Sequence, residues 1–288
     1  MSTRDAQPVQ TALSIDPCDA DARQQALRAA LASQYDASAI HWLAQTSSTS
    51  DMLRQQAISQ SGPMPAVVVA NQQQCGRGQS GRVWQSPVGN LYLSFLTRLA
   101  SPVQGRLALE VALAVLDMPL LQQVPQVGVK WPNDLHQRCA TTPHTPDGSA
   151  KWGGILIEPE GAHHVIIGIG INATRMHVTD QAVTDLATLC QQPIDLVELA
   201  AQTVQALQRA CATFDAHSPH LVERFAARDV LADHAVVVQH PAHADLHGIA
   251  QGIDAHGALH VRTSSRSHWL YSGHVRRCAA SAMTDSPK

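Results

Sequence analysis

Positive charge in this chain is almost never carried by lysine. Only three lysines occur in 288 residues, Lys130, Lys151 and Lys288, against seventeen arginines. Other shortages exclude whole classes of protein. No apolar run reaches the roughly 18 residues needed to span a bilayer. Residues 1–20 are polar, with Asp5, Asp16 and Asp19, and lack the apolar stretch of a signal peptide. The six cysteines are scattered and form no C-x-x-C pair. That argues against a zinc site and a disulfide framework and suits a reducing cytosol. A formal net charge of −3 provides no global basic field for nucleic acid.

What is present begins with the two interior lysines. Lysine is a compact ammonium that reaches phosphate or carboxylate oxygens as a point charge, whereas arginine is a planar fork. Lys288 is terminal. The other two open related segments, Lys130-Trp131-Pro132-Asn133-Asp134 and Lys151-Trp152-Gly153-Gly154-Ile155. An arginine-biased composition leaves one lysine by chance more readily than two in such settings, so a chemical role is the better reading.

Hydrophobic patterning predicts a helix over 21–33 behind a disordered start, together a leader over residues 1–37. A strand follows at 40–43, and then a helix to about 59, capped by the Ser47-Ser48-Thr49-Ser50-Asp51 run. Strands are predicted at 65–70, 90–97 and 127–131, and a helix over 104–121. Residues 136–150, rich in Thr, Pro and His, read as a surface loop. Two apolar strands at 154–158 and 164–172 suit a hairpin, and 193–230 reads as mostly helical. Near Asp233 the character changes to short alternating runs, which predict a small all-β barrel of about five strands. The whole is α+β: a mixed-sheet catalytic domain over 38–232 and a β module over 233–282. Ten of the sixteen histidines follow residue 215. His240, His243 and His247 have metal-like spacing but no helix to align them, so a solvated histidine-rich loop is expected there.

Gly76-Arg77-Gly78-Gln79-Ser80-Gly81 matches G-x-G-x-x-G after a strand. The dinucleotide fingerprint needs a helix to begin inside the motif and an acidic residue about twenty positions on. The continuation Arg82-Val83-Trp84-Gln85-Ser86-Pro87 starts a helix poorly, and the acid is missing. Phosphate chemistry remains: glycines let backbone N–H groups face an anion, and Arg77 and Arg82 add forked donors. Trp84 reads equally as a flat face for a purine or as a core residue.

In order, Ser48-Thr49, the glycine-arginine loop through Pro87, Lys130-Trp131-Pro132-Asn133-Asp134, Lys151 through Glu158 and Gly168-Ile169-Gly170-Ile171-Asn172 resemble the biotin protein ligases. The resemblance covers about residues 40–280. It implies a class II synthetase-like α+β domain, the biotin/lipoyl ligase fold, with an SH3-like barrel behind it. It further implies activation of biotin by ATP and Mg²⁺ as biotinyl-5′-AMP, and transfer to a lysine of a biotin carboxyl carrier domain of acetyl-CoA carboxylase or a related carboxylase. By resemblance, Ser48, Thr49 and Gln73 hydrogen-bond the ureido ring. Gly76, Arg77, Gly78 and Gln79 face biotin and the phosphates, and Lys151, with Gly153 and Gly154, meets the carboxylate and the phosphoryl oxygens. Trp84 and Asn172 hold adenine. Lys130, Asn133 and Asp134 support the phosphate and metal side, and Asp134 orients the acceptor lysine. No residue is assigned as a metal ligand, and a homodimer stays open. Two departures stand out: Gln79 replaces a second loop arginine, and Ser50 replaces an asparagine after Ser-Thr. A 37-residue leader is short for the DNA-binding domain that some family members carry, so no specific DNA partner is expected.

Three other readings compete. A lipoate ligase shares the fold and the adenylate chemistry, but is not expected to show Lys-Trp-Pro-Asn-Asp. A non-catalytic biotin sensor is opposed by the presence of both lysines and Arg77. Nucleic-acid binding through Arg262, Arg266, Arg276 and Arg277 lacks the exposed aromatics that stack bases.

Overall fold

The computed structural model describes residues 17–59, 62–139, 148–175, 182–240 and 243–278. Seven strands form one mixed sheet: β1 (Ile40–Leu43), β2 (Ala66–Ala70), β3 (Leu91–Arg98), β4 (Val127–Lys130), β5 (Asp134–Arg138), β6 (Ser149–Glu160) and β7 (His164–Ile171). Their spatial order is β1-β2-β3-β7-β6-β5-β4. β1 and β2 run parallel, joined through the helix α2 (Thr49–Ser59), and the other neighbours pair antiparallel.

β7 shows how the sequence divides the two faces. Strand side chains alternate, so Val165, Ile167, Ile169 and Ile171 share one face, and Ile166, Gly168 and Gly170 the other. The first set enters the main core with Leu91, Leu93 and Phe95 of β3. The helices α1 (Pro17–Leu31), α3 (Arg106–Leu116) and α5 (Leu196–Asp215) pack into the same core. α5 is capped by Asp195, whose carboxylate accepts from the N–H groups of Val197 and Glu198, and it buries Leu199, Thr203, Leu207 and Phe214 as one apolar stripe. On the opposite face α2 lays Leu53 against Val68, Leu96 and Ile166. Beside it the glycines leave the sheet bare, and this bare patch becomes the site.

A β-bulge supplies the cavity with its lysine. Leu135 pairs with Gly153, but His136 pairs with Lys151, so Trp152 is the extra residue between two registers. Lys151 and Gly154 lie an odd number of residues apart and face the same side only because of that bulge. Trp152 is fully buried in the core instead.

The remaining helices are α4 (Leu186–Cys190) and α6 (Leu221–Ala226). Then come β8 (Ala235–His240), β9 (His243–Ile253), β10 (Leu259–Arg262), β11 (Ser267–Leu270) and β12 (His274–Arg277), an antiparallel sheet of order β11-β10-β9-β8-β12. The module is joined to the large sheet by backbone bonds between Val129 and the Arg228–Val230 segment, and by Trp131 Nε1 donating to the Gly257 carbonyl at 2.9 Å.

Several sequence expectations are corrected. Residues 136–138 and 149–150 are strand rather than loop, and His136 and Ser149 are buried; 140–147 lie outside the described residues. The leader holds a core helix, with Leu27 and Leu31 fully buried, while residues 1–16 lie outside the described residues. The 104–121 helix ends at Leu116, whereas 193–230 is mostly helical as expected, in two helices separated at 217–220, where His217, Ser218 and His220 take positive φ. His240 and His243 belong to strands, not to a loop. The five-stranded sheet does not close into a barrel among the described residues, since β11 and β12 are its two edges.

Candidate active site

A cavity of about 670 Å³ opens on the bare face of the large sheet. Its chemistry changes strand by strand. At the β3 side, Thr49 and Ser50 open α2 beside Ser94, a polar residue inside an otherwise apolar strand. The Thr49 hydroxyl donates to Gln73 Oε1 at 3.1 Å and lies 2.7 Å from Ser94 Oγ, which lies 3.0 Å from Ser50 Oγ. Each hydroxyl owns one proton. Thr49 spends its proton on Gln73, so the donors run Ser50 to Ser94 to Thr49 to Gln73. The result is a fixed, uncharged array of donors and acceptors. Ser48 lines the same end and caps α2, with Asp51 N–H 3.4 Å from its Oγ.

The floor is β7 and β6. A Cβ on Gly168 would stand 3.2 Å from Ser50 Oγ, and one on Gly170 would stand 2.5 Å from the Trp84 ring. Trp84 lies on Gly170 and Gly154, and its ring centroid is 5.0 Å from Lys151 Nζ. Its Nε1 is buried without a partner. Trp84 is therefore a cavity wall rather than a residue of the main core.

The glycine loop is a tight hairpin, not a helix start. Gly78 N–H donates to the Arg82 carbonyl at 2.7 Å, and Trp84 N–H donates to the Gly76 carbonyl at 2.9 Å. Ser80 and Gly81 turn it with φ of 57° and 73°. Gly76 is required sterically, because a Cβ there would meet the Trp84 carbonyl oxygen at 2.5 Å. Arg77 is held on carboxylates: both terminal nitrogens bond Asp51 at 2.7 Å, and one reaches Glu158 at 3.4 Å. Arg54 ties Asp51, Glu158 and Glu160 into the same network. Hydrogen bonding from Arg77 holds the Asp51 carboxyl below its usual range, and Asp51 raises the guanidinium in return.

Beyond the floor lie the cations. Lys151 Nζ stands 2.7 Å from Asp134 Oδ1. Burial pushes the Asp134 carboxyl upward, but the Lys151 ammonium leads the charges that more than reverse this, so Asp134 stays ionised. Lys130, the register partner of Asp134, is buried on the same wall. Asn133 bonds the backbone of Ile155 through its side-chain amide and its own carbonyl, fixing the Asp134 corner against β6. The small module closes the far side with Gly273, His274, Val275 and Arg276. His274 Nδ1 lies 3.3 Å from Arg82 of the loop. Burial, then Arg82, lowers the His274 pKa.

Of the residues singled out by sequence, the cavity brings together Ser48, Thr49, Gln73, Arg77, Gly78, Gln79, Trp84, Lys130, Asn133, Asp134, Lys151 and Gly154. Gly76, Gly153 and Asn172 stand behind the wall. Asn172 Nδ2 donates to the Thr184 carbonyl at 3.1 Å, and Gly153 packs on Leu135 and the Gly170 carbonyl. The cavity adds Ser94, His136, Ser149 and the 273–275 segment, to which sequence reasoning gave no part in the site, together with Ser50, Gly168 and Gly170, which stood in the motifs without a role, and Arg276. A serine inside the apolar β3 run was a signal for Ser94.

A hydroxyl-lined groove crosses a glycine floor and ends in two lysines, and comparison with known proteins gives the class, a ligase of the biotin/lipoate type. The biotin/lipoate A/B protein ligase family matches residues 42–172, and the biotin protein ligase C-terminal domain matches 235–275. The biotin–[acetyl-CoA-carboxylase] ligase of Mycobacterium tuberculosis is 32% identical over 241 residues, covering 81% of this chain and 86% of the relative. The bifunctional ligase/repressor BirA of Escherichia coli is 32% identical over 203 residues, which span only 60% of its own length. Among solved structures, the Aquifex aeolicus biotin protein ligase in complex with biotin and ATP superposes with a TM-score of 0.68 at 22% identity, covering 82% of this chain and 98% of that one. The Leishmania major enzyme in complex with biotinyl-5-AMP superposes at 0.56 with 26% identity, covering 83% and 98%. The chain belongs to the biotin protein ligases, enzymes that ligate biotin.

Proposed function

We propose that the protein joins biotin to ATP as biotinyl-5′-adenylate and passes the biotinyl group to a lysine of a biotin carboxyl carrier domain, that of acetyl-CoA carboxylase or a related carboxylase. One observation carries the reading. Across the sheet the cavity runs from an uncharged hydroxyl–amide array, over bare glycines, to Lys151, Asp134 and Lys130. A ureido ring presents two N–H groups and a carbonyl, which suit the Ser50–Ser94–Thr49–Gln73 chain; the dithiolane of lipoate presents neither. The glycine floor admits a flat, extended ligand. The cations wait where a carboxylate must approach a phosphate.

In the first step a biotin carboxylate oxygen attacks the α-phosphorus, and the bond to the bridging oxygen breaks, releasing pyrophosphate. Lys151 is placed to stabilise the charge that builds on the equatorial oxygens. Trp84 covers the intermediate, and Arg77 exchanges its Asp51 and Glu158 partners for phosphate oxygens. In the second step the uncharged amine of the acceptor lysine attacks the acyl carbon and AMP leaves. Asp134, kept ionised by Lys151, accepts a hydrogen bond from that amine and orients it.

Among the described residues no three His, Cys, Asp or Glu side chains come together to hold a metal, and Asp134 is the single carboxylate on the described cavity wall. Mg²⁺, which neutralises phosphate charge in this chemistry, would be carried chiefly by the triphosphate itself. No helix among the described residues is long and apolar enough to cross a membrane. The five cysteines whose side chains are among the described residues are free, which supports a reducing compartment, the cytoplasm. The net charge of −3 speaks against duplex DNA as a partner; sequence-dependent binding in a gel-shift assay would contradict this.

The deciding experiment is mass spectrometry of a carrier domain after incubation with protein, biotin and Mg·ATP. A biotinyl mass increase on one lysine, dependent on both substrates, is expected. Pyrophosphate release with lipoate but not with biotin would replace the reading by lipoate activation.

A further inference from the structure

His136 is a buried histidine on the cavity wall to which the reaction as described gives no task. Strand alternation along β5 sends Leu135 into the core and puts Asp134 and His136 on the cavity side. His136 is 5% exposed. Its Nδ1 lies 3.0 Å from Ser149 Oγ, and its Nε2 is buried with no hydrogen-bond partner. Burial, reinforced by the ammonium groups of Lys130 and Lys151 against the pull of Asp134, pushes its pKa down to about 3. The ring is therefore neutral, with one N–H and one lone pair.

The 3.0 Å contact lets the Ser149 hydroxyl donate to Nδ1 or accept from it. Where the hydroxyl donates, the hydrogen stands on Nε2, on a ring that feels both Lys130 and Lys151. A buried donor without a partner costs free energy that an arriving acceptor restores. The sheet order shows which part of the ligand arrives. β6 brings Lys151, β5 brings His136 opposite it and Asp134 two residues away, and β4, the next strand, brings Lys130 opposite Asp134. A chain of phosphates whose first member meets Lys151 continues toward His136 and Lys130.

We propose that His136, with Ser149 setting its tautomer, is a polyphosphate ligand, donating from Nε2 to an oxygen of the pyrophosphate portion of ATP. The inference rests on the proposed use of ATP at this cavity. It makes His136 a substrate contact and Ser149 a positioning residue. Neither belongs to the motifs that marked the site in the sequence.

The test uses the full chain with inorganic pyrophosphate as probe and biotin as control. His136→Phe removes the donor, whereas His136→Gln keeps an N–H near the Nε2 position. For His136→Phe, KM for ATP is expected to rise roughly tenfold or more, the scale of one hydrogen bond to a charged group. Product inhibition by pyrophosphate should weaken by the same factor, biotin affinity should hold, and His136→Gln should recover most of the loss. In ¹⁵N-histidine NMR of the wild type, the His136 signals should show the Nε2–H tautomer, and pyrophosphate should shift the Nε2 resonance. Ser149→Ala should mix the tautomers. Unchanged ATP and pyrophosphate parameters in His136→Phe would overturn the inference. So would an Nε2 resonance indifferent to pyrophosphate, a reading that stands even if the phenylalanine variant fails to fold. A wild type that releases no pyrophosphate from biotin and ATP would instead sink the proposed function, and this inference with it.

Discussion

At the scale of single residues, the scarcity of lysine led to the cavity: both interior lysines line it, and the Lys151 side chain is 13% exposed with its ammonium between Asp134 and the Trp84 ring. That slot is built for a point charge. Lys151→Arg keeps the charge but presents a planar fork that cannot hold the 2.7 Å contact and clear Trp84 together. Adenylate formation is expected to fall by about 10²–10³, the scale of losing one oriented donor at a developing charge, with biotin binding largely kept. Single-turnover pyrophosphate release checks it, and a wild-type rate would remove Lys151 from the chemistry. His136 and Ser149 were illegible for a definite reason. A stretch rich in Thr, Pro and His outweighed the short β5 segment, and nothing local announces that two strand ends lie inside it. Ser50, a departure from the family asparagine, makes structural sense: its short hydroxyl fits between Ser94 and Gly168.

At the scale of elements, the glycine loop shows what composition reveals and what it hides. Three glycines and a poor helix start argued against a dinucleotide helix, and the hairpin agrees; that the loop faces an anion belongs to the proposed function. Hidden from sequence was the partner of Arg77. Asp51 is the third residue of α2 and Glu158 lies far along in β6, so only the fold brings them together. These carboxylates hold Arg77, and with it the hairpin, through side-chain bonds; in the proposed reaction a phosphate takes their place. Asp51→Asn removes a two-point ion pair between groups about one-third exposed, worth at most ~1 kcal/mol. The amides of Gly78 and Trp84 are then expected to exchange roughly three- to fivefold faster without ligand, and biotin with ATP should close the gap. Equal exchange in the two proteins would mean that the backbone bonds alone hold the loop. The β6 bulge is a second element-scale device. Period-2 patterning cannot foresee it, because the Trp152 insertion shifts the phase of every side chain before it.

At the scale of the whole molecule, the change in patterning near Asp233 did mark the passage from one sheet to the other. Strand alternation is visible residue by residue, whereas closure of a sheet is not, which is why an open five-stranded sheet was read as a barrel. The passage itself contains a buried acid. Asp229 is 3% exposed in the segment that pairs with Val129 and leads into the small module. Its Oδ1 accepts from Leu231 N–H at 2.8 Å, and its Oδ2 is buried without a partner. Burial pushes its pKa up to about 6, with Asp233 adding to the shift and the Leu231 bond and Arg138 opposing it. The sign follows from linkage. A carboxyl whose folded pKa lies above its unfolded value of 3.8 binds its proton more tightly in the folded state, so folding is favoured below pH 4 and penalised in full above pH 6. Asp229→Asn abolishes that titration while keeping the acceptor to Leu231. Relative to wild type, the variant is therefore expected to gain roughly 1–1.5 kcal/mol in unfolding free energy between pH 5 and pH 7.5, whatever fixed cost the new amide brings. Urea denaturation of both proteins at the two pH values measures this difference of differences, from which titrations elsewhere in the chain cancel. A pH-independent gap would show that the Asp229 carboxylate is already stabilised in the folded protein, and that the seam between the sheets carries no charge penalty at neutral pH.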